Sequence, residues 1–318
     1  MHHIAYTVIG SIALAGALVG CQQSSAMAPR PSATLAPPTA AAMATQPSAT
    51  LAPAATQAQP TAAAASSAQQ AAEIIARYYQ AIGQRQYAQA YPLWAEGGAA
   101  SGQSAEQFAQ GFAQTAGVQL ALGEASAQGQ EASVPVTITS VENLSGGAQE
   151  VRQYSGAYTL RQDAGGWKIT SASIQQSATN PQPPAERGDP QALIQAYYSA
   201  INAQQYGRAY TYWSGSGAAS GQGFAAFAQG FATTAQVNLA FGQAQQDVAA
   251  GSAYASLPVG IVAHQRDGST TAFCGSYQLR RVNVEPFQLL GWSIDKAQIG
   301  PAALAASASQ VLANGCGS

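Results

Sequence analysis

Side chains able to do acid–base, nucleophilic or metal chemistry are scarce in this chain of 318 residues. Lys and Arg number 12 and Asp and Glu 14, so 8% of residues are charged, with a formal net charge of −2; an ordinary soluble chain carries about 25%. Of three histidines, His2 and His3 stand at the start of the sequence, which leaves His264 at the end of an alternating segment beside Asp267-Gly268. A lone histidine there reads as a surface residue. The sequence has no His/Cys/Asp cluster with metal-ligand spacing, no G-x-S-x-G nucleophile turn and no phosphate loop, and neither a metal nor a cofactor is expected. The only adjacent basic pair is Arg280-Arg281, too little to neutralise a phosphate backbone, which excludes a nucleic-acid partner.

The chain contains one pattern twice. Tyr78-Tyr79, Tyr87, Ala90-Tyr91, Trp94, Ala99-Ala100-Ser101-Gly102-Gln103, Phe108, Gly111-Phe112, Thr115, Val118 and Leu120 recur 119 residues later, as Tyr197-Tyr198 through Leu239. The match continues through Val134-Pro135-Val136 with Leu257-Pro258-Val259, Gly156 and Tyr158 with Gly275 and Tyr277, and Trp167-Lys168-Ile169 with Trp292-Ser293-Ile294. Each copy is about 105 to 110 residues, an ordinary domain size. The copies retain almost no charge in common: Glu106 aligns with Ala225, Glu131 with Tyr254 and Glu150 with Ser269. The retained charge is Arg161/Arg280, read as a solvated strand-end residue or, functionally, as an anion contact at a rim. What the copies share is aromatic or small. The aromatics first read as core. If a cavity exists, Tyr78, Tyr158, Tyr197 and Tyr277 are the candidates to line it, their hydroxyls turned toward a small apolar ligand. Gly156 and Gly275 in mid-strand then leave room for that ligand, for a sheet bend or for a close helix approach.

These residues must be held by helices followed by strands. Ile75, Tyr78, Tyr79 and Ile82, like Ile194, Tyr197, Tyr198 and Ile201, fall on one helical face. Asp189 followed by Pro190 is a helix start. A second short helix carries Tyr87, Tyr91 and Trp94, with Pro92 expected to bend or shorten it, and a third begins at a Ser104/Gln107 capping box. Alternation then marks four strands, around 118–122, 134–138, 154–160 and 167–169, joined by Gly-rich hairpin turns. The fold class is α+β, with three helices on one face of a four-stranded antiparallel sheet, twice.

Paired helices ending in A-Y-x-x-W, a third helix with F-x-x-G-F and a sheet closing on a Trp-containing strand resemble the NTF2-like fold. That is the cone-shaped domain of ketosteroid-isomerase-like and SnoaL-like enzymes, of scytalone dehydratase and of many exported bacterial proteins. The resemblance implies two tandem cone-shaped domains, over 71–176 and 189–299, with a stiff Pro-rich linker at 177–188 and a tail at 300–318. In that family a carboxylate inside the cone abstracts a proton and a Tyr, protonated Asp or His/Asp pair stabilises the oxyanion. No residue of this chain is assigned such a role from its sequence.

The amino-terminal end gives an address. Ile4 to Val19 is an apolar run of about 16 residues, short of the roughly 20 that span a bilayer. It is followed by Leu18-Val19-Gly20-Cys21, which resembles the lipobox of bacterial lipoproteins. The resemblance implies cleavage of residues 1–20 and acylation of Cys21, palmitate included, with His2 and His3 where Lys or Arg is usual. Residues 21–70 are Ala-, Pro-, Thr-, Ser- and Gln-rich with one charge, Arg30, and read as a disordered tether. In an exported chain Cys274 and Cys316 meet oxidising conditions and are expected to form a disulfide pinning the tail to the sheet.

Together these readings give an extracytoplasmic, membrane-anchored protein, at the outer membrane if the cell has two, since Gln22 follows the lipid cysteine. The leading expectation is a non-catalytic envelope lipoprotein whose two modules bind a partner protein, a cell-wall component or a small apolar ligand. The alternatives are an envelope enzyme of the isomerase or dehydratase type, and a spacer or accessory module in cell-wall assembly. An open pocket holding an inward acid separates the enzyme from the rest.

Overall fold

A computed structural model describes residues 62–315, with side chains from residue 66 onward. Cys21, Cys316, the expected signal segment and nearly all of the expected tether lie outside the described residues. No helix among the described residues is long and apolar enough to cross a membrane.

The first copy opens with α1 (Ala62–Gly83), the short α2 (Tyr87–Ala90), two 3-10 turns (Tyr91–Leu93 and Glu96–Ser101) and α3 (Ala105–Gly111). Five strands follow: β1 (Thr115–Leu122), β2 (Ser126–Gln128), β3 (Glu131–Asn143), β4 (Gln149–Asp163) and β5 (Gly166–Thr179). The second copy repeats this order with α4 (Pro190–Asn202), α5 (Tyr206–Thr211), α6 (Phe224–Gly230), β6 (Thr234–Phe241), β7 (Gln245–Ala249), β8 (Ser252–Gln265), β9 (Thr270–Val282) and β10 (Ser293–Pro301). A last helix, α7 (Ala308–Ala313), closes the described chain. The architecture is α+β with two antiparallel sheets, ordered β1-β3-β4-β5 and β10-β9-β8-β6, with β2 and β7 added on β3 and β8. The short strands β2 and β7 make five per sheet where the alternation marks four.

Local chemistry accounts for the helix boundaries. The Ser104 hydroxyl accepts from the Gln107 backbone N–H at 3.2 Å, and the Gln107 side chain accepts from the Ser104 N–H at 3.0 Å. Asp189 caps α4 by accepting from Gln191 and Ala192, with Pro190 in the first turn. Pro92 limits α2 to one turn that tightens into a 3-10 turn, whereas α5 runs on to Thr211. Helix α1 begins at Ala62, inside the stretch whose composition reads as tether. The run is Ala-rich, the best helix-forming composition, and Ala68, Ala71 and Ala72 are buried.

Each helical layer lies on its sheet through aromatic rings. Tyr78 meets Tyr79, Trp94, Phe108 and Tyr158 at centroid distances of 5.0 to 6.3 Å. Tyr197 meets Tyr198, Trp213, Phe227 and Tyr277 at 4.8 to 6.3 Å. The copies also pack on one another. Gly207 of α5 lies so close to α1 and β1 that a Cβ there would stand 3.2 Å from Ala72 Cβ and 3.1 Å from Leu122. The β9–β10 connection is six residues longer than its counterpart, as the change of offset from 119 to 125 between the Tyr158/Tyr277 and Trp167/Trp292 pairs shows. It carries Phe287 onto Gly117 of β1.

The segment read only as linker also builds the core. Arg187 is 2% exposed, and its guanidinium donates to the carbonyls of Trp292 at 3.0 Å and Thr211 at 2.8 Å. It also lies 5.1 Å from the Tyr212 ring centroid. Burial lowers its pKa to about 10.

Candidate functional site: an aromatic cavity in the second copy

The second copy encloses a cavity of about 540 Å³ between its helices and the concave face of its sheet. This lies in the ordinary range for small-molecule pockets, about 300 to 1,000 Å³. Its floor is Tyr197, Tyr198, Trp213 and Tyr277; its walls include Phe227, Phe231, Val237, Ile261, Phe273 and Ile299. Trp213 follows α5, and the others come from the adjacent pair on α4, from one turn at the end of α6 and from inward positions of β6, β8, β9 and β10. Among the lining residues Lys296 carries the sole charge, and no carboxylate is present.

The polar equipment of the floor is tyrosine. The hydroxyls of Tyr198 and Tyr277 lie 2.7 Å apart, and those of Tyr79 and Tyr158 are paired at the same distance in the first copy. A hydroxyl has one proton and two lone pairs, so each such pair uses one O–H and leaves the other O–H without a use inside the pair. Burial holds these groups neutral: it pushes Tyr198 up to about 12 and raises Tyr197 and Tyr277 well above the usual tyrosine value. The floor can therefore donate a hydrogen bond to an acceptor, and it supplies no base at neutral pH.

Glycines shape the cavity by letting backbones approach. Gly275 has φ 152° and Gly156 φ 155°, and a Cβ at either would overlap the neighbouring strand, on the carbonyl oxygen of Gln298 or of Ser173. The backbone that approaches each glycine is that of the neighbouring strand and not that of a helix. The glycine just before each A-A-S-G-Q stretch also admits a close approach. Gly98 (φ 111°) and Gly217 (φ 105°) seat the rings of Tyr91 and Tyr210, whose hydroxyls donate to the Gln103 and Gln222 carbonyls at 2.7 and 2.8 Å.

The structure separates the four candidate tyrosines. Tyr197 and Tyr277 line the cavity, whereas Tyr78 and Tyr158 belong to the aromatic cluster of the first copy. His264 points away from the cavity that its neighbour Gln265 lines, and its ring nitrogens lie 3.1 Å from Asn238 Nδ2 and 3.2 Å from Thr270 Oγ1. Arg280 contacts the Ser252 hydroxyl and borders a smaller cleft of about 170 Å³ rather than the cavity, and Arg161 stands exposed opposite Glu131. Cys274 is buried and disulfide-bonded, in a small cluster with Val262, Ala272, Ala308 and Val311 that attaches α7 to the sheet.

Sequence comparison of the copies does not single out Lys296 or Gln265, and it reads Tyr198 as core. Register supplies their counterparts. Thr115 pairs with Glu142 on the first sheet as Thr234 pairs with Gln265 on the second, so Gln265 stands where the first copy has Glu142. Gly156 pairs with Ile174 as Gly275 pairs with Ile299, which places Lys296 at the position of Ser171. In the first copy the Thr115 hydroxyl donates to the Glu142 carboxylate at 3.1 to 3.2 Å.

No family model matches the chain, and no curated protein matches it. Among solved structures the chain is similar to a protein from Streptomyces avermitilis described as a dehydratase of the NTF2-like family. The identity is 17% and the TM-score 0.31, over 35% of this chain and 97% of that one.

Proposed function

We propose that the chain is an envelope lipoprotein with two tandem NTF2-like modules, of which the second holds a small, largely apolar molecule without transforming it. The observation that carries this reading is the cavity of about 540 Å³, floored by tyrosine and tryptophan and lined by no carboxylate. The NTF2-like assignment rests on element order, aromatic placement and a cone-like cavity between helices and sheet. Attachment through Cys21 and a tether would place the cavity outside the cytoplasm, within reach of envelope metabolites. The tether in this reading ends near residue 61, where α1 begins.

Binding is tested with the neutral fluorophore phenylnaphthylamine, whose emission rises in apolar surroundings. Saturable binding to the mature protein, lost in Ala263→Trp with the circular dichroism spectrum preserved, is the expected result. Equal signal in the two proteins would contradict it. The address is tested separately, by mass spectrometry of the exported protein: a diacylated or triacylated peptide beginning at Cys21 is expected, and an unmodified Met1 peptide would refute it.

A further inference from the structure

We infer that the second cavity selects an anionic amphiphile, a small aromatic or aliphatic molecule with a carboxylate or sulfonate at one end, and that Lys296 is its counter-ion. The inference rests on the ligand-binding reading above. Three observations point to it. Lys296 is exposed at the cavity and forms no ion pair among the described residues, whose two ion pairs are Arg152–Glu150 and Arg208–Glu186. No lining residue bears a negative charge, so an anion entering there meets one cation and no repulsion. The paired hydroxyls of Tyr198 and Tyr277 leave one O–H to donate inward, and the remaining lining is mainly aromatic and aliphatic, which suits the body of the molecule.

The first copy serves as an internal contrast. Where the second has Lys296 and Gln265, the first has Ser171 and Glu142, and the Glu142 carboxylate is engaged by Thr115. The same two positions thus carry one positive charge in one copy and one negative charge in the other, while the aromatic residues beneath them are kept. Two further lining positions differ without a change of charge, Ala263 against Ser140 and Phe273 against Tyr154; a reversal of charge over a kept aromatic floor is the expected mark of altered ligand preference rather than altered fold.

Two probes with the same aromatic skeleton test this: anilinonaphthalene sulfonate and its neutral analogue phenylnaphthylamine, titrated into the mature wild-type protein, Lys296→Gln, Lys296→Arg and the cavity-filled Ala263→Trp. The sulfonate is expected to bind wild type more tightly than the neutral probe. Lys296→Gln is expected to weaken the sulfonate about fivefold and leave the neutral probe unchanged, with Lys296→Arg retaining the preference. Equal affinity of the two probes for wild type, or a sulfonate affinity unchanged in Lys296→Gln, would overturn the anion preference while leaving the cavity a binding site. Failure of both probes to bind, or binding undiminished in Ala263→Trp, would overturn the ligand-binding reading and this inference with it.

Discussion

The hydroxyl of Tyr198 on α4 lies 2.7 Å from that of Tyr277 on β9, and the bond between Tyr79 and Tyr158 repeats it at the same length. It ties the first helix of each copy to the centre of its sheet. Removing one partner strands the other hydroxyl in an apolar site, whereas removing both leaves a shape-matched apolar contact. Tyr277→Phe is therefore expected to destabilise by about 1–2 kcal/mol, and Tyr198→Phe/Tyr277→Phe by less than the sum of the two single variants. Urea unfolding of the four proteins measures this; strict additivity would show that the bond contributes nothing.

The same burial sets an alkaline limit. Tyr198 titrates at about 12 in the folded chain against 10.0 ordinarily, and Tyr197 and Tyr277 are raised in the same direction. A group whose folded pKa is raised stabilises the fold fully below the unfolded pKa, and that contribution is lost as pH rises through the folded value. Stability is expected to fall steeply between about pH 10 and pH 12, with the last tyrosinate absorbance appearing together with loss of helical circular dichroism. Full tyrosinate absorbance in a chain still folded would contradict it.

Gly275→Ala and Gly156→Ala place a methyl group on the carbonyl oxygen of the adjacent strand. The two paired strands have to separate there, so each variant is expected to lose about 2–4 kcal/mol or fail to fold. Thermal unfolding checks this, with Gly300→Ala as the control, since no atom stands within 4 Å of a Cβ there.

Arg187 joins three segments through two carbonyl bonds and a ring contact. Arg187→Met removes both bonds and leaves the Trp292 and Thr211 carbonyls without them, an expected loss of about 2–4 kcal/mol. Arg187→Lys recovers less than half, because one ammonium does not reproduce the planar fork. Full recovery by Lys would argue against that geometry.

Cys274 sits in a buried cluster beneath α7, and we propose Cys316 as its disulfide partner. A non-reducing peptide map is expected to show the two cysteines in one linked pair of peptides, and reduction is expected to open residues after Pro301 to proteolysis. A map that links Cys274 to another cysteine would refute the pairing.

Much of this was legible in the sequence, and the reasons differ by element. Ser104 with Gln107, and Asp189 with Pro190, declare helix starts because capping is local chemistry between residues at most three apart. The aromatic core was legible because helix periodicity and duplication name the same residues. What escaped notice depends on distant backbone. Gly98 and Gly217 are needed because a tyrosine ring seven residues earlier lies over them. Arg187 looked like linker because its partners, Thr211 and Trp292, are 24 and 105 residues away. Lys296 was hidden by the irregularity between Ile294 and Lys296, which breaks the alternation that tells inward from outward on β10.

The central claim, that the second copy holds a small apolar molecule in its aromatic cavity, is tested most directly by methyl NMR of the mature protein during titration with phenylnaphthylamine. Val237, Ile261 and Ile299, which line the cavity, are expected to shift together and saturate. Their counterparts Val118, Ile138 and Ile174 are expected to stay in place. Shifts spread over both copies, or none at Ile261 and Ile299, would contradict the account.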